Sequence, residues 1–313
     1  MTDAPTAWVI GAGGLVGGAV SAALDDPFTS PGLPWDDPAL LTSAFRDQVR
    51  EFSSLASAAG GWVVHWAAGA GVVASGGAVL DREAVSLEIF LGALEQTRPP
   101  GPGCIVLASS AGAVYAGCGS GPFTESTTPV PLSGYGESKL AQEAQVAAAS
   151  DRIGAPVLIA RIANVYGQRQ DVSKPQGLIS HLCRSAVTGS PLNLYVPLDT
   201  LRHYVFASDV GVLMREAGLR AWREQAPVAS IKIISGGPPV TVGQVVNVVR
   251  RIARHPLRVS FGAEPTGALQ PSDLRLRSEV WTDLDRDCGR TDLVAGVKRV
   301  YDATFGEFIR IAK

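Results

Sequence analysis

Cysteine is scarce in this chain. The four residues Cys104, Cys118, Cys183 and Cys288 lie far apart in 313, form no Cys-x-x-Cys pair and are not matched with histidines at metal-ligand spacing. A reduced, cytoplasmic protein without structural zinc is expected. A surplus of positive charge is also lacking: 27 Lys and Arg stand against 29 Asp and Glu, for a net charge of -2. Without that surplus nothing draws the chain to a phosphate backbone or an anionic membrane, which argues against nucleic acid and membrane as partners. No Lys or Arg precedes Arg46, so the basic lead of a signal peptide is missing. The longest apolar run, Trp62 to Leu80, is broken by Gly69, Gly71, Gly76 and Gly77 and reads as a buried strand followed by a flexible loop rather than a membrane span. The 35 glycines and 21 prolines follow no period, which excludes a repeat array and a low-complexity domain.

With 46% hydrophobic and 18% charged residues, the chain suits one large α/β domain or a domain with a smaller lobe. Short apolar runs alternate with helical stretches, the pattern of a doubly wound, Rossmann-type parallel sheet. Strands are expected at Ala7 to Ile10, Trp62 to Ala67, Cys104 to Ala108, Val157 to Arg161 and Ile231 to Ile234. Helices are expected at Leu15 to Leu24, Asp81 to Gln96, Gly136 to Ala149 and Pro175 to Gly189, and from a Thr241 cap to about Arg254. The organisation expected is a dinucleotide-binding domain over 1–166 and a smaller C-terminal substrate-binding lobe over 167–313, interleaved with late sheet strands at about 200–235.

Trp8-Val-Ile-Gly-Ala-Gly-Gly-Leu-Val-Gly-Gly18 is a strand, a glycine turn and a helix start. Gly11, Gly14 and Gly17, with Leu15 at the helix start, fit a dinucleotide fingerprint: glycines let the backbone approach, and free N–H groups at the helix end face the pyrophosphate. The determinant expected about 20 positions on is missing, because Phe28-Thr-Ser-Pro-Gly-Leu-Pro-Trp35 holds neither an acid for a ribose hydroxyl nor an arginine for a 2′-phosphate. Asp25 and Asp26 come early; Asp36 and Asp37 come late and look like an acid that follows a third strand and faces the adenine. The lack of basic residues leans toward NAD, with NADP left open.

Tyr135 and Lys139 lie four apart at the start of a helix, hence on one face. An ammonium beside a phenol favours the phenolate, which suits proton exchange; an ordinary surface pair is the competing reading. The strand Cys104-Ile-Val-Leu-Ala-Ser-Ser-Ala-Gly-Ala-Val-Tyr115 ends in two serines upstream of Tyr135, where a hydroxyl can hold a substrate oxygen.

Together these elements resemble the extended short-chain dehydrogenase/reductase superfamily, in particular its NAD-dependent epimerase/dehydratase family of sugar-nucleotide enzymes, including the galactose-type 4-epimerases. Val63-Val-His-Trp-Ala-Ala68, Arg161-Ile-Ala-Asn-Val-Tyr-Gly167 and Leu201-Arg-His-Tyr-Val-Phe-Ala-Ser-Asp-Val210 extend the likeness over nearly the whole chain. The resemblance implies that Tyr135 is the general acid/base, that Lys139 holds the nicotinamide ribose and that Ser110 binds the reacting oxygen. Ser109 is the alternative hydroxyl, since the family position three before Val-Tyr is Ala111 here; Ser109 and Ala111 are then substrate contacts. It further implies pyrophosphate at Gly11, Gly14 and Gly17, and a cofactor cleft lined by Ala67, Ala68 and Asp36. Asn164 is expected near the substrate phosphates, Arg202 on the diphosphate, and Arg275 or Arg277 as a second arginine. His65 reads as structural, His203 replaces a customary Asp, and Arg250, Arg251 and Arg254 read as a helix's polar face.

Ala111, Gly112 and Ala113 stand where a dehydratase carries an Asp-Glu pair, which argues against dehydration. C4 epimerisation of a nucleotide sugar and NAD(P)H-dependent reduction of a nucleotide 4-keto sugar use the same residues, and the Asn-Val-Tyr-Gly string tips the balance toward the epimerase. A non-catalytic dinucleotide sensor or scaffold is the reading from another class. The likeness also implies a homodimer built on the helices Asp81 to Gln96 and Gly136 to Ala149.

Overall fold

The computed structural model describes residues 4–226, 229–262, 270–287 and 290–311; Cys288 lies outside the described residues. The first half runs β1 (Thr6–Ile10), α1 (Leu15–Ala23), α2 (Pro38–Ala58), β2 (Trp62–Trp66), α3 (Gly77–Thr97), β3 (Gly103–Ser110), α4 (Ala111–Val114), α5 (Gly134–Ile153), β4 (Val157–Ile162) and β5 (Asn164–Tyr166). The second half continues with α6 (Leu178–Thr188), β6 (Leu192–Leu194), β7 (Leu201–Arg202), β8 (Tyr204–Phe206), α7 (Ala207–Glu224), β9 (Ser230–Ile234), β10 (Val240–Thr241), α8 (Val242–Ala253), β11 (Val259–Phe261), β12 (Asp273–Leu274), α9 (Thr282–Asp287) and α10 (Leu293–Ile311).

The main sheet has the order β1-β2-β3-β4-β9, every pair parallel. All five residues of β2 are buried, as a central parallel strand covered on both faces requires. On one face, Val9, Val63, Val106 and Ile233 pack against Val20 of α1 and Val210, Leu213 and Met214 of α7. On the other, Trp8, Val64, Ile105 and Ile159 meet Phe45 and Phe52 of α2, Phe90 of α3 and Val146 of α5. The sheet is therefore doubly wound. A separate core of Leu182, Val245, Val249, Val297 and Val300 joins α6, α8 and α10 into a smaller lobe. Its strands form short sheets, β10-β7-β12 and β11-β6, while β5 pairs with β8. Thr241 closes a capping box with Gln244 at the start of α8.

One part of the fold departs from the expectation. Among the described residues no third strand precedes Asp36 and Asp37; Asp37 instead caps α2, its carboxylate accepting from Ala39 N at 2.9 Å and Leu40 N at 3.0 Å, and α2 leads directly into β2, the neighbour of β1. The second strand shrinks to one parallel bridge, Trp8 to Phe28. The aromatic packing explains how the sheet ends there. Phe28 meets Trp8 edge-on with centroids 5.2 Å apart, and Phe52 and Phe90 close on the same indole. Those rings bury the Trp8 indole completely at the edge strand β1.

Candidate active site

The glycine turn follows from the crowding where β1 meets α1. Gly11 holds φ +94°, and a Cβ there would stand 2.5 Å from Ala68 N, so only glycine suits the position. A Cβ at Gly17 would collide with the Gly11 carbonyl, whereas Gly13 has nothing within 4 Å. The turn is tight below and open above. Gly14 caps α1 without a side-chain bond, which leaves the first N–H groups of the helix for an anion. Leu15 is the first helical residue, and its Cδ1 lies 3.2 Å from where a Cβ of Gly167 would stand. A cavity of about 340 Å³ opens over Gly11, Gly13 and Gly14 and is walled by Ala67, Ala68 and Glu83. A neighbouring one of about 210 Å³ lies along Phe28, Thr29, Ser30 and Trp35, with no charged side chain on its wall. Asp36 lies on the rim of the larger cavity; its side chain is 91% exposed and pairs with Arg82 at 3.0 Å.

Ser133 caps α5 by accepting from Gly136 N at 3.2 Å, and the first turns of that helix carry Tyr135 and Lys139. The ammonium of Lys139 lies 5.6 Å from the Tyr135 ring centroid. Lys139 is only 6% exposed, and a buried ammonium needs partners. It donates to Gln142 Oε1 at 3.0 Å and faces Glu83 Oε2 at 3.7 Å. Glu83 in turn accepts from Ala70 N at 2.6 Å and Gly71 N at 2.5 Å. Sequence reasoning missed both partners. Gln142 was findable as the i+3 neighbour of Lys139, but Glu83 arrives from another helix with no local signal.

The two serines of β3 separate cleanly. Ser109 is buried and donates to Glu143 Oε1 at 2.6 Å; Glu143 is bound by Arg161, which also donates to Tyr115 Oη at 2.7 Å. Ser109 therefore belongs to a buried network. Ala111 is fully buried, in the core that also takes in Val20 of α1 and Val210 of α7. Ser110, half-buried, makes none of the side-chain hydrogen bonds found among the described residues.

On the far side of the cleft, Asn164 begins β5, and its Oδ1 lies 3.6 Å from where a Cβ of Gly112 would stand. Arg202 is 5% exposed. Its Nη1 donates to Leu201 O at 2.8 Å, while Nη2 is buried with no partner among the described residues. Burial draws its pKa below the ordinary arginine value, as desolvation of a charged group does. Arg275 donates from Nε and Nη2 to Asp273, at 3.0 and 2.7 Å, and from Nη2 to Gly121 O, and it holds the Asp273 carboxyl below the usual carboxylate range; its Nη1 makes none of the hydrogen bonds found among the described residues. Arg277 pairs with Glu279 at the surface. Burial, helped by the Arg290 charge, takes His203 down to about 4. Among the described residues no helix is long and apolar enough to cross a membrane.

Residues 7–218 match the NAD dependent epimerase/dehydratase family. The chain belongs to that family. The dTDP-4-dehydro-6-deoxyglucose reductase of Escherichia coli is 30% identical over 110 residues, 34% of this chain and 34% of the relative. The chain thus spans about a third of that relative's length. Among solved structures, the UDP-glucose 4-epimerase of Thermotoga maritima with UDP-glucose is similar over 98% of this chain and 100% of its own, with a TM-score of 0.77 and 18% identity. The UDP-glucose 4-epimerase of Thermus thermophilus in complex with NAD is similar over 96% and 99%, with a TM-score of 0.74 and 20% identity. At those identities the likeness establishes the Rossmann-type fold.

Proposed function

We propose that this member of the family is an NAD-dependent enzyme that epimerises C4 of a nucleotide sugar. The observation that carries the reading is the buried guanidinium of Arg202, with an unpartnered Nη2: it calls for an anionic group such as a substrate diphosphate. The residues present fit a nicotinamide dinucleotide, since Gly13 faces open space at the free end of α1 and the cavity extends from there along Ala67 and Ala68. When bound, that cofactor supplies hydride acceptance and return at a sugar carbon.

The chain's own residues supply the rest. Tyr135 takes the proton of the C4 hydroxyl as that carbon is oxidised and returns it to the same oxygen afterwards. Lys139 holds its ammonium beside the phenol and offers an N–H to the nicotinamide ribose. Ser110, whose neighbour Ser109 is engaged by Glu143, is the hydroxyl left to bind the reacting oxygen. Asn164 and Arg202 grip the phosphate side. The uncharged wall along Thr29 and Ser30 offers no cation to a 2′-phosphate and favours an unphosphorylated adenosine ribose, hence NAD over NADP. Cysteines without disulfide partners among the described residues support a reduced, cytoplasmic setting, and α3 with α5 supplies a face for a homodimer.

Similarity to a reductase supports a second reading, the NAD(P)H-dependent reduction of a nucleotide 4-keto sugar. Denaturing the purified protein separates the two. Release of tightly held NAD, with interconversion of UDP-glucose and UDP-galactose or another nucleotide-sugar pair, is expected for the epimerase. An empty protein that binds NADPH or NADH reversibly indicates the reductase, and failure to bind any of NAD, NADH, NADP and NADPH overturns both.

A further inference from the structure

We infer that Glu83 is a positioning residue, whose two carboxylate oxygens hold the 67–71 loop and Lys139 in register and so build the cofactor cleft before any cofactor arrives. The inference rests on the reading of Tyr135 and Lys139 given above. A carboxylate with a side chain only 10% exposed persists only with partners on both oxygens, and here the oxygens divide the work. Oε1 accepts from Ala70 N and Gly71 N, two successive amides that form a small anion nest. Oε2 faces Lys139 Nζ at 3.7 Å and accepts from Gln142 Nε2 at 3.4 Å, and Gln142 closes the triangle by accepting from Lys139.

The placement makes this more than a buried ion pair. Glu83 lines the large cavity together with Gly69 and Ala70, so its loop is part of the wall that meets the ligand. That loop is pressed against the proposed acid/base: a Cβ on Gly71 would stand 2.8 Å from Leu80, 3.0 Å from Glu83 and 3.5 Å from the Tyr135 ring. An ammonium has three donors; Gln142 takes one and Glu83 attracts another, which leaves one N–H for a ribose hydroxyl. The other charges nearby do not replace Glu83. Lys174 reaches across from beyond β5 to Ala70 O at 3.2 Å, pinning the same peptide from its carbonyl side. Arg82 is paired with Asp36 at the rim, and Glu143 is paired with Arg161.

The test compares E83A and E83Q in the full chain by hydrogen exchange at the Ala70 and Gly71 amides without cofactor, by calorimetric affinity for NAD, and by melting temperature. E83A should speed exchange at both amides and weaken NAD binding, each by about tenfold or more. E83Q retains an oxygen for the two amides, so it should restore their protection and leave NAD affinity between those of E83A and the wild type. A merely structural role predicts a lower melting temperature with NAD affinity unchanged, and that result overturns the inference. Should E83A not fold, E83D decides: one methylene shorter, it cannot span loop and lysine, and unaltered exchange and NAD affinity would overturn the inference equally. Y135F separates this from the functional reading. Full turnover in Y135F defeats that reading, while the exchange and binding results still judge Glu83.

Discussion

The ammonium of Lys139 sits 5.6 Å from the ring centroid of Tyr135, one turn along α5, and the two residues should fail differently when altered. Y135F removes the proposed proton carrier and leaves the cleft intact, so turnover should fall by about 10²- to 10⁴-fold with NAD affinity within about threefold of wild type. K139M removes an N–H donor to the ribose as well, so both turnover and NAD affinity should fall. Steady-state rates with a nucleotide-sugar substrate and calorimetry with NAD check the pair. Equal NAD binding in K139M and Y135F would contradict the role given to Lys139.

Ser109 and Ser110 offer a sharper contrast, because they are adjacent in sequence and differ in setting, one bound to Glu143 and the other without such a bond among the described residues. S109A takes one hydrogen bond from the buried Glu143 and should cost about 1 kcal/mol of stability while leaving turnover within about twofold. S110A should do the reverse, lowering turnover about tenfold or more with the denaturation midpoint unmoved. Urea titrations and initial rates on both variants decide. Loss of turnover in S109A alone would exchange the two assignments.

The two serines also mark where sequence reading ends. Strand alternation, the glycine turn and the Tyr135–Lys139 spacing are local patterns, and each of the five expected sheet strands forms within two residues of the expected bounds. Glu83 and Glu143 act across 56 and 34 residues of chain on Lys139 and Ser109; no window shows such pairings. The α2 helix was missed for another reason. Its run from Pro38 to Ala58 packs on one face of the sheet, and the aromatic rings that meet there around Trp8, from Phe28, Phe52 and Phe90, come from three separate segments. Nor does an arginine at a plausible position disclose the Asp273 two residues away that binds it.

Arg202 yields a prediction of unusual sign. Its guanidinium is desolvated, with Nη2 unpartnered among the described residues, so in the free protein it is a burden rather than a support. R202M, similar in length and apolar, should hold or raise the melting temperature while increasing the KM for a nucleotide sugar about tenfold or more. NAD affinity should not change. A loss of stability in R202M would mean that the charge has a partner within the fold and is not reserved for a ligand.

His65 governs how the protein responds to acid. It is buried on β2, and burial lowers its pKa from 6.5 to about 4. In the unfolded chain the imidazole takes its proton near 6.5, whereas the folded state refuses it until about 4. Between these values the unfolded state therefore binds more protons, and stability falls as the pH drops. The loss amounts to about 3 kcal/mol for this group once pH 4 is reached; above 6.5 the contribution is complete and flat. His203, likewise lowered to about 4 by burial, acts in the same window and with the same sign. Urea midpoints measured from neutral pH downward should decline across that interval in the wild type. In H65Q, which cannot titrate there, the decline should be shallower by the share of one histidine, and an unchanged slope would show that His65 is protonated within the fold.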